Sequence, residues 1–326
     1  MILNVSTKDF ILVGDVGGTF VRLGLAQRDD RGKMLISQFT KVAGDDITCL
    51  DDAIELFLKE THYKPKHVSI ALAGPVSNGS VSLTNRPWTV SEADMRKRFG
   101  FQHVSLYNDF KAMGRSVPEM EESDFLEIHP GQAVAGEPIL VAGPGTGFGM
   151  ANLAPMNGGW HVFGSEGGHV AYAPQSRSET ELLHILQKTY DFVSLELVSS
   201  GFGMDVIHKA ICERHGVAYE KTHPAKVLEL AKDGDPVCLE ICEVRSAAIM
   251  GALGDMALVY GARGGVVLAG GVSERLIDYI AAPKAMSRFM NRGHMSSYLE
   301  NMPIRLLQNP AAPLIGAAVL YMDETK

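Results

Sequence analysis

Two stretches of this chain share one design, and that design restricts the fold more than any other feature. Phe10-Ile11-Leu12-Val13-Gly14 reads as a strand, Asp15-Val16-Gly17-Gly18-Thr19 as a turn, and a second strand then alternates through Val21, Leu23 and Leu25. Later the plan returns. Pro138-Ile139-Leu140-Val141-Ala142 is a strand, Gly143-Pro144-Gly145-Thr146-Gly147-Phe148-Gly149 a turn, and Met150-Ala151-Asn152-Leu153 a strand again. Strand, glycine turn, strand predicts a hairpin. A dinucleotide-binding fold would need a helix after the glycines, so these turns do not predict one. As a sequence repeat the echo is weak, but two such units with a Thr in each turn are specific in kind. Glycine turns let backbone N–H groups point at one spot where phosphate oxygens can sit, and two facing hairpins can hold a polyphosphate from both sides. Taken singly, each is equally a tight hairpin with a polar residue nearby.

Composition narrows the class. With 326 residues, 46% of them hydrophobic, the chain can bury two ordinary cores. A formal net charge of -8 argues against a nucleic-acid partner, which would call for a basic face. Cys49, Cys212, Cys238 and Cys242 are scattered; only the last two are close, at helical spacing, which suits neither a zinc site nor a disulfide framework. No apolar run approaches membrane-spanning length, and Met1 to Asp9 carries no signal-peptide pattern. These features predict a cytoplasmic protein without a membrane partner.

Between and after the hairpins the pattern alternates strands with helices. Residues 50–60 have apolar positions at helical spacing, and Val68-Ser69-Ile70-Ala71-Leu72-Ala73 is a strand. Leu83-Thr84-Asn85-Arg86-Pro87-Trp88 is either a turn capped by a core Trp or a loop beside a polar ligand. Ser91-Glu92-Ala93-Asp94 starts a helix that ends near Gly100. The run Ser105-Leu106-Tyr107-Asn108-Asp109-Phe110 closes a strand on an adjacent amide and carboxylate, where Asp109 could simply cap a helix. Ser165-Glu166-Gly167-Gly168-His169 sets a carboxylate and an imidazole two glycines apart, a polar turn or a pair able to grip a polyol. Residues 178–188 read as helical, Ser199-Ser200-Gly201-Phe202-Gly203-Met204 as a glycine break, and residues 224–260 as helical throughout. Val266-Val267-Leu268-Ala269-Gly270-Gly271 is a buried strand running into a helix start at Ser273-Glu274-Arg275, where nucleotide atoms could sit. Pro303 to Leu307 is strand-like, and residues 314–322 form a helix rich in small side chains.

Taken together, these motifs resemble the bacterial glucokinase family, within the sugar kinase/actin/heat-shock ATPase superfamily. The likeness runs from Gly14-Asp15-Val16-Gly17-Gly18-Thr19 to Pro313-Leu314-Ile315-Gly316 and is most specific at Leu83–Trp88, Asn108-Asp109-Phe110, Gly143–Gly147, Glu166-Gly167-Gly168-His169 and Ala269-Gly270-Gly271. It implies an α/β fold of two ribonuclease-H-like domains around a central cleft, the smaller from residues 1–112 plus 311–326 and the larger from 113–310, and a homodimer. By the same resemblance, Asn108, Asp109, Glu166, His169 and Glu196 would hold the hydroxyls of glucose or a related hexose, with Asp109 as general base. Asp15, Gly17, Gly18 and Thr19 would form a first phosphate loop for ATP, Asp15 reaching Mg2+ through water. Gly145, Thr146 and Gly147 would form a second, with Gly270 and Gly271 and the Ser200–Gly203 stretch beside the adenosine.

Four positions depart from the family pattern. Phe20 stands where a polar residue usually follows the Thr, Ala171 where an Asp usually follows His-Val, Leu197 where an Arg follows the Glu, and Phe202 where a Pro separates the glycines. Two other classes compete with the kinase. A sugar sensor that has lost efficient transfer would suit Phe20 and Ala171 but not an intact Asp109. An actin-like ATPase needs the glycine hairpins but not Asn108-Asp109 with Glu166 and His169. The related repressor and kinase family would bring a cysteine-rich zinc motif, and none is present.

Overall fold

In the computed structural model residues 10–83 and 86–325 are described. Thr84 and Asn85 of the Leu83–Trp88 motif, and the Met1 to Asp9 segment, lie outside the described residues. The chain forms two compact units, one of Met1–Asp124, Met156–Gly164 and Asn309–Lys326, the other of Phe125–Pro155 and Ser165–Gln308.

The first unit opens with the expected hairpin, β1 (Ile11–Val16) and β2 (Phe20–Arg28), and continues with β3 (Met34–Ala43), α1 (Leu50–Thr61) and β4 (His67–Leu72). A small two-stranded ribbon, β5 (Ser80–Ser82) with β6 (Thr89–Ser91), precedes α2 (Glu92–Phe99), β7 (His103–Asn108) and α3 (Asp109–Ser116). Its sheet has the order β3-β2-β1-β4-β7, the first three strands antiparallel and the last three parallel. Central strands buried on both faces need continuous apolar runs, and β1 and β4 are buried at every position. Alternation then divides β1 between two cores, Leu12 and Val16 on one face, Ile11 and Val13 on the other. α1 buries Leu50, Ala53, Ile54 and Phe57, one helical stripe, and α2 starts on a Ser91 cap and stops at Gly100 in the left-handed region, as its sequence predicts.

The chain continues with β8 (Phe125–His129), the second hairpin β9 (Ile139–Pro144) and β10 (Phe148–Met156), and β11 (Gly159–Ser165). Helices α4 (Arg177–Leu186), α5 (Leu195–Ser199), α6 (Met204–His215), α7 (Pro224–Lys232) and α8 (Pro236–Tyr260) follow. Then come β12 (Gly265–Leu268), α9 (Gly271–Arg275), α10 (Ile277–Ile280), α11 (Pro283–Met290), α12 (Ser296–Glu300) and β13 (Ile304–Leu307), and the chain closes with α13 (Ala312–Glu324). The sheet order β11-β10-β9-β12-β13-β8 repeats that of the first sheet with one strand added, so the two hairpins head two sheets of one plan. This is the mixed α/β, doubly ribonuclease-H-like architecture that the resemblance implies.

One expectation needs correction. Residues 224–260 are not one helix: Gly234, at φ 89°, breaks the chain after α7, and Asp235 caps α8 by accepting from the Cys238 N–H, with Pro236 in the first turn. The first segment of the first unit runs to Asp124 and holds α3 whole. α3 is locked there by α13: a Cβ on Gly316 would lie 1.8 Å from the Ala112 carbonyl oxygen, so only glycine permits that approach. Among the described residues no helix is long and apolar enough to cross a membrane.

Candidate active site

In the first unit, strand register gathers the predicted residues at one edge of the sheet. Val16 of β1 pairs with Leu72 of β4, and Leu72 with Asn108 of β7. The Gly17–Thr19 turn and the Asn108-Asp109 pair therefore leave the sheet in the same row, two strands or roughly 10 Å apart, at the carboxyl ends where α/β sheets bind ligands. Asn108, not Asp109, is the cap of α3: its Oδ1 accepts from the Lys111 N–H at 3.0 Å, and its amide reaches the Gly74 carbonyl at 3.4 Å. Asp109 is the first helical residue, half-buried, and its Oδ1 accepts from the Phe110 N–H at 2.8 Å. The carboxylate thus stands at the amino end of a helix, where the backbone favours negative charge.

Asp15 lies inside β1 rather than in the turn, 5% exposed, opposite Arg22 of β2. Arg22 Nη1 donates to Asp15 Oδ2 at 2.5 Å. Burial pushes the Asp15 carboxyl above its ordinary value, and the guanidinium offsets that only in part. In the turn, the Gly17 N–H donates to the Phe20 carbonyl at 3.0 Å. That amide therefore closes the loop. Arg86 braces the same loop, donating to the carbonyls of Gly18 at 3.1 Å and Gly44 at 2.9 Å and to Asp45 at 2.9 Å. Phe20, the departure beside the loop, lies under the Lys41 ammonium, 3.8 Å from its ring centre, a cation–π contact.

In the second unit the backbone of one residue ties three predicted elements together. The Phe148 N–H, just after the Gly145–Gly147 turn, donates to Glu196 Oε2 at 2.7 Å. The Phe148 carbonyl faces Gly168, where a Cβ would come within 2.1 Å of its oxygen. The two glycines between Glu166 and His169 are thereby explained, since their turn packs directly on the start of β10 while Glu166 and His169 themselves stay exposed. A short ladder fixes the same turn to α5: the Leu195 N–H donates to Val170 at 2.8 Å and the Tyr172 N–H to Val193 at 2.9 Å, with Ala171 opposite Ser194. The Ser200–Gly203 stretch is bonded to the turn itself, Gly201 N–H to Gly145 at 2.9 Å and Phe202 N–H to Thr146 at 2.8 Å. Gly270 has φ 91°, and a Cβ there would meet the Pro144 oxygen at 2.6 Å, so Gly270-Gly271 sits against the end of β9.

Asp15, Gly17, Gly18, Thr19, Asn108 and Asp109 thus share one edge of the first unit, and Gly145, Thr146, Gly147, Glu166, His169, Glu196, Gly270 and Gly271 form one connected region of the second. Arg22 and Arg86 brace the candidate site; the sequence reading gave Arg22 no part in it and named Arg86 only within the Leu83–Trp88 motif. A signal for Arg22 was present: with a hairpin turning at Gly17–Thr19, a cation in the β2 alternation falls opposite Asp15. Among the described residues no group of three His, Cys, Asp or Glu side chains could hold a metal. A single carboxylate suits Mg2+ carried by nucleotide phosphates, which ordinarily binds through one or two carboxylates and water rather than a protein cage.

Residues 12–324 match the family model described as Glucokinase. A glucokinase of Caulobacter sp. (strain K31) is 37% identical over 310 residues, 94% of this chain and 94% of the relative. A solved glucokinase from an Antarctic psychrotroph superposes with a TM-score of 0.84 at 34% identity, over 97% of this chain and 99% of that one. A ROK family glucokinase from Streptomyces griseus, solved in complex with glucose and AMPPNP, shares the fold with a TM-score of 0.65 at 19% identity, over 96% and 99% of the two chains. Matched over nearly its whole length by the family model and by a close relative, the chain belongs to the glucokinase family.

Proposed function

We propose that the chain transfers the γ-phosphoryl group of ATP to the 6-hydroxyl of glucose, giving glucose 6-phosphate and ADP. The observation that carries this reading is the division of labour at β7 and α3: Asn108 satisfies the helix end, so Asp109 is not needed as its cap. Asn108, Asp109, Glu166, His169 and Glu196 are the hexose ligands in this reading. Carboxylates accept from hydroxyls, while the amide and the imidazole can donate, which suits a polyol.

An alcohol is a weak nucleophile, and a carboxylate of ordinary pKa does not deprotonate it in the ground state. The sugar oxygen instead attacks phosphorus as the bond to ADP breaks, and its proton passes to Asp109 as the new bond forms. Alignment of the two reactants and donors aimed at the phosphoryl oxygens supply most of the acceleration. Magnesium, when bound with the nucleotide, neutralises phosphate charge; Asp15 is the residue that would hold it, through water. Arg22 offsets part of the burial that opposes ionisation of Asp15. Gly17, Gly18, Thr19, Gly145, Thr146 and Gly147 serve the phosphates, and Gly270 and Gly271 the adenosine. The reading carries with it a homodimer acting in the cytoplasm.

The test is magnesium–ATP-dependent phosphorylation of glucose, mannose, fructose, galactose and N-acetylglucosamine, with Asp109→Ala beside the wild type. Turnover of glucose that Asp109→Ala abolishes, with glucose affinity falling far less, is the expected result. Equal loss of binding and turnover contradicts the base assignment. Preference for another hexose makes the chain a kinase for that sugar, and glucose binding without transfer makes it a sensor.

A further inference from the structure

Arg245 is a buried guanidinium in the middle of α8, 6% exposed. Among the described residues it has no ion-pair partner, and its Nε meets no acceptor. Desolvation pulls its pKa down to about 10. A buried charge without a counter-charge is costly, and chains keep one where it does something specific. Its Nη2 donates to the carbonyls of Ser199 at 3.1 Å and Ser200 at 2.9 Å, and its Nη1 faces Met204 Sδ at 3.2 Å. It also lines a cavity of about 40 Å³ with Gly201, Val227, Val272 and Arg275.

The two carbonyls it holds lead straight into the next two amides. Gly201 N–H donates to Gly145, and Phe202 N–H to Thr146. One guanidinium therefore fixes two peptide units whose successors grip two of the three residues of the Gly145–Gly147 turn. The amino end of α5 is anchored separately, by the Ser194 hydroxyl accepting from the Leu197 N–H at 3.1 Å and by the ladder to Val170 and Tyr172. Glu196 lies at that separately anchored end.

We propose that Arg245 is a positioning residue for the Gly145–Gly147 turn, setting affinity for the nucleotide phosphates while leaving hexose affinity alone. The inference rests on the kinase reading, in which that turn binds phosphate.

Calorimetry of magnesium–ADP binding without hexose, and of glucose binding without nucleotide, separates the two effects. Arg245→Met weakens ADP binding roughly tenfold, the scale of losing charge-assisted bonds, and raises KM for ATP, while glucose affinity changes by less than about twofold. Arg245→Lys, keeping the charge and an ammonium able to reach both carbonyls, recovers most of the loss. Val227→Ala, a packing change in the same cavity, lowers Tm and leaves ADP binding unchanged. If Arg245→Met does not fold, Arg245→Gln is read in the same two titrations. Wild-type ADP affinity in these variants, or equal loss of ADP and glucose, overturns the proposal. A wild-type protein that binds no nucleotide overturns the kinase reading itself.

Discussion

Arg22 and Asp15 occupy directly paired positions on β2 and β1, and the guanidinium approaches the buried carboxylate to 2.5 Å. Burial and charge act on Asp15 in opposite senses, and burial is the larger. Arg22 is part-exposed, its side chain 31% accessible, so it can be removed without opening the core.

Arg22→Met leaves burial unopposed, and the Asp15 carboxyl rises further. Losing a neighbouring opposite charge moves a carboxyl by about one to three pH units. If Asp15 must be ionised to serve the magnesium–nucleotide, the acidic limb of kcat/KM shifts to higher pH by about one unit or more. An unmoved limb in a folded variant removes Asp15 from the phosphate chemistry.

The same pair makes a prediction about stability. A carboxyl whose folded pKa exceeds its unfolded one contributes stability while protonated, below the unfolded value near 4. It loses that contribution as pH rises through the folded pKa. At neutral pH the Asp15 carboxylate therefore costs stability. Asp15→Asn should melt higher than wild type at pH 7, on the scale of about 2 °C per kcal/mol, with the difference shrinking toward pH 4. Activity should be lost throughout. A variant that melts lower at pH 7 shows instead that the Arg22 pair outweighs burial.

Both hairpins, the α2 caps, the helix at residues 314–322 and the strand before Asn108 were legible because each carries a local signal: a glycine turn, a Ser start, an apolar run. β3 and β8 were not. As edge strands they bury only Met34 between them, so no period-two apolar pattern marks them. The break between α7 and α8 was legible in Asp233-Gly234-Asp235-Pro236 and was passed over because apolar spacing resumes in α8. The Phe148 junction was invisible for another reason. It joins a backbone N–H and a backbone carbonyl to residues 48 and 20 positions away, and no side-chain type at Phe148 encodes that.

Glu196 tests the first half of that junction. Its Oε2 accepts from the buried Phe148 amide, so Glu196→Ala strands an N–H and should cost about 1–3 kcal/mol of stability. Glu196→Gln can still accept through its carbonyl oxygen and should keep Tm close to wild type. Glucose affinity separates the roles: it falls in both variants if the carboxylate also holds a hydroxyl, and only in the Ala variant if the residue merely braces β10.

Gly168 tests the second half. Any side chain there would begin 2.1 Å from the Phe148 oxygen, and because the obstacle is backbone, no rotamer change relieves it. Gly168→Ala must therefore push the Glu166–His169 turn away from β10 or drag β10 with it. Such overpacking costs about 1–3 kcal/mol, seen as a lowered Tm. If the turn yields, Glu166 and His169 move while the Gly145–Gly147 turn, held independently at Gly201 and Phe202, stays in place. KM for glucose then rises about tenfold or more, since an ångström of misplacement can cost a hundredfold in such sites, with magnesium–ADP affinity unchanged. If β10 yields instead, both affinities fall together, and the two halves of the site are one mechanical unit.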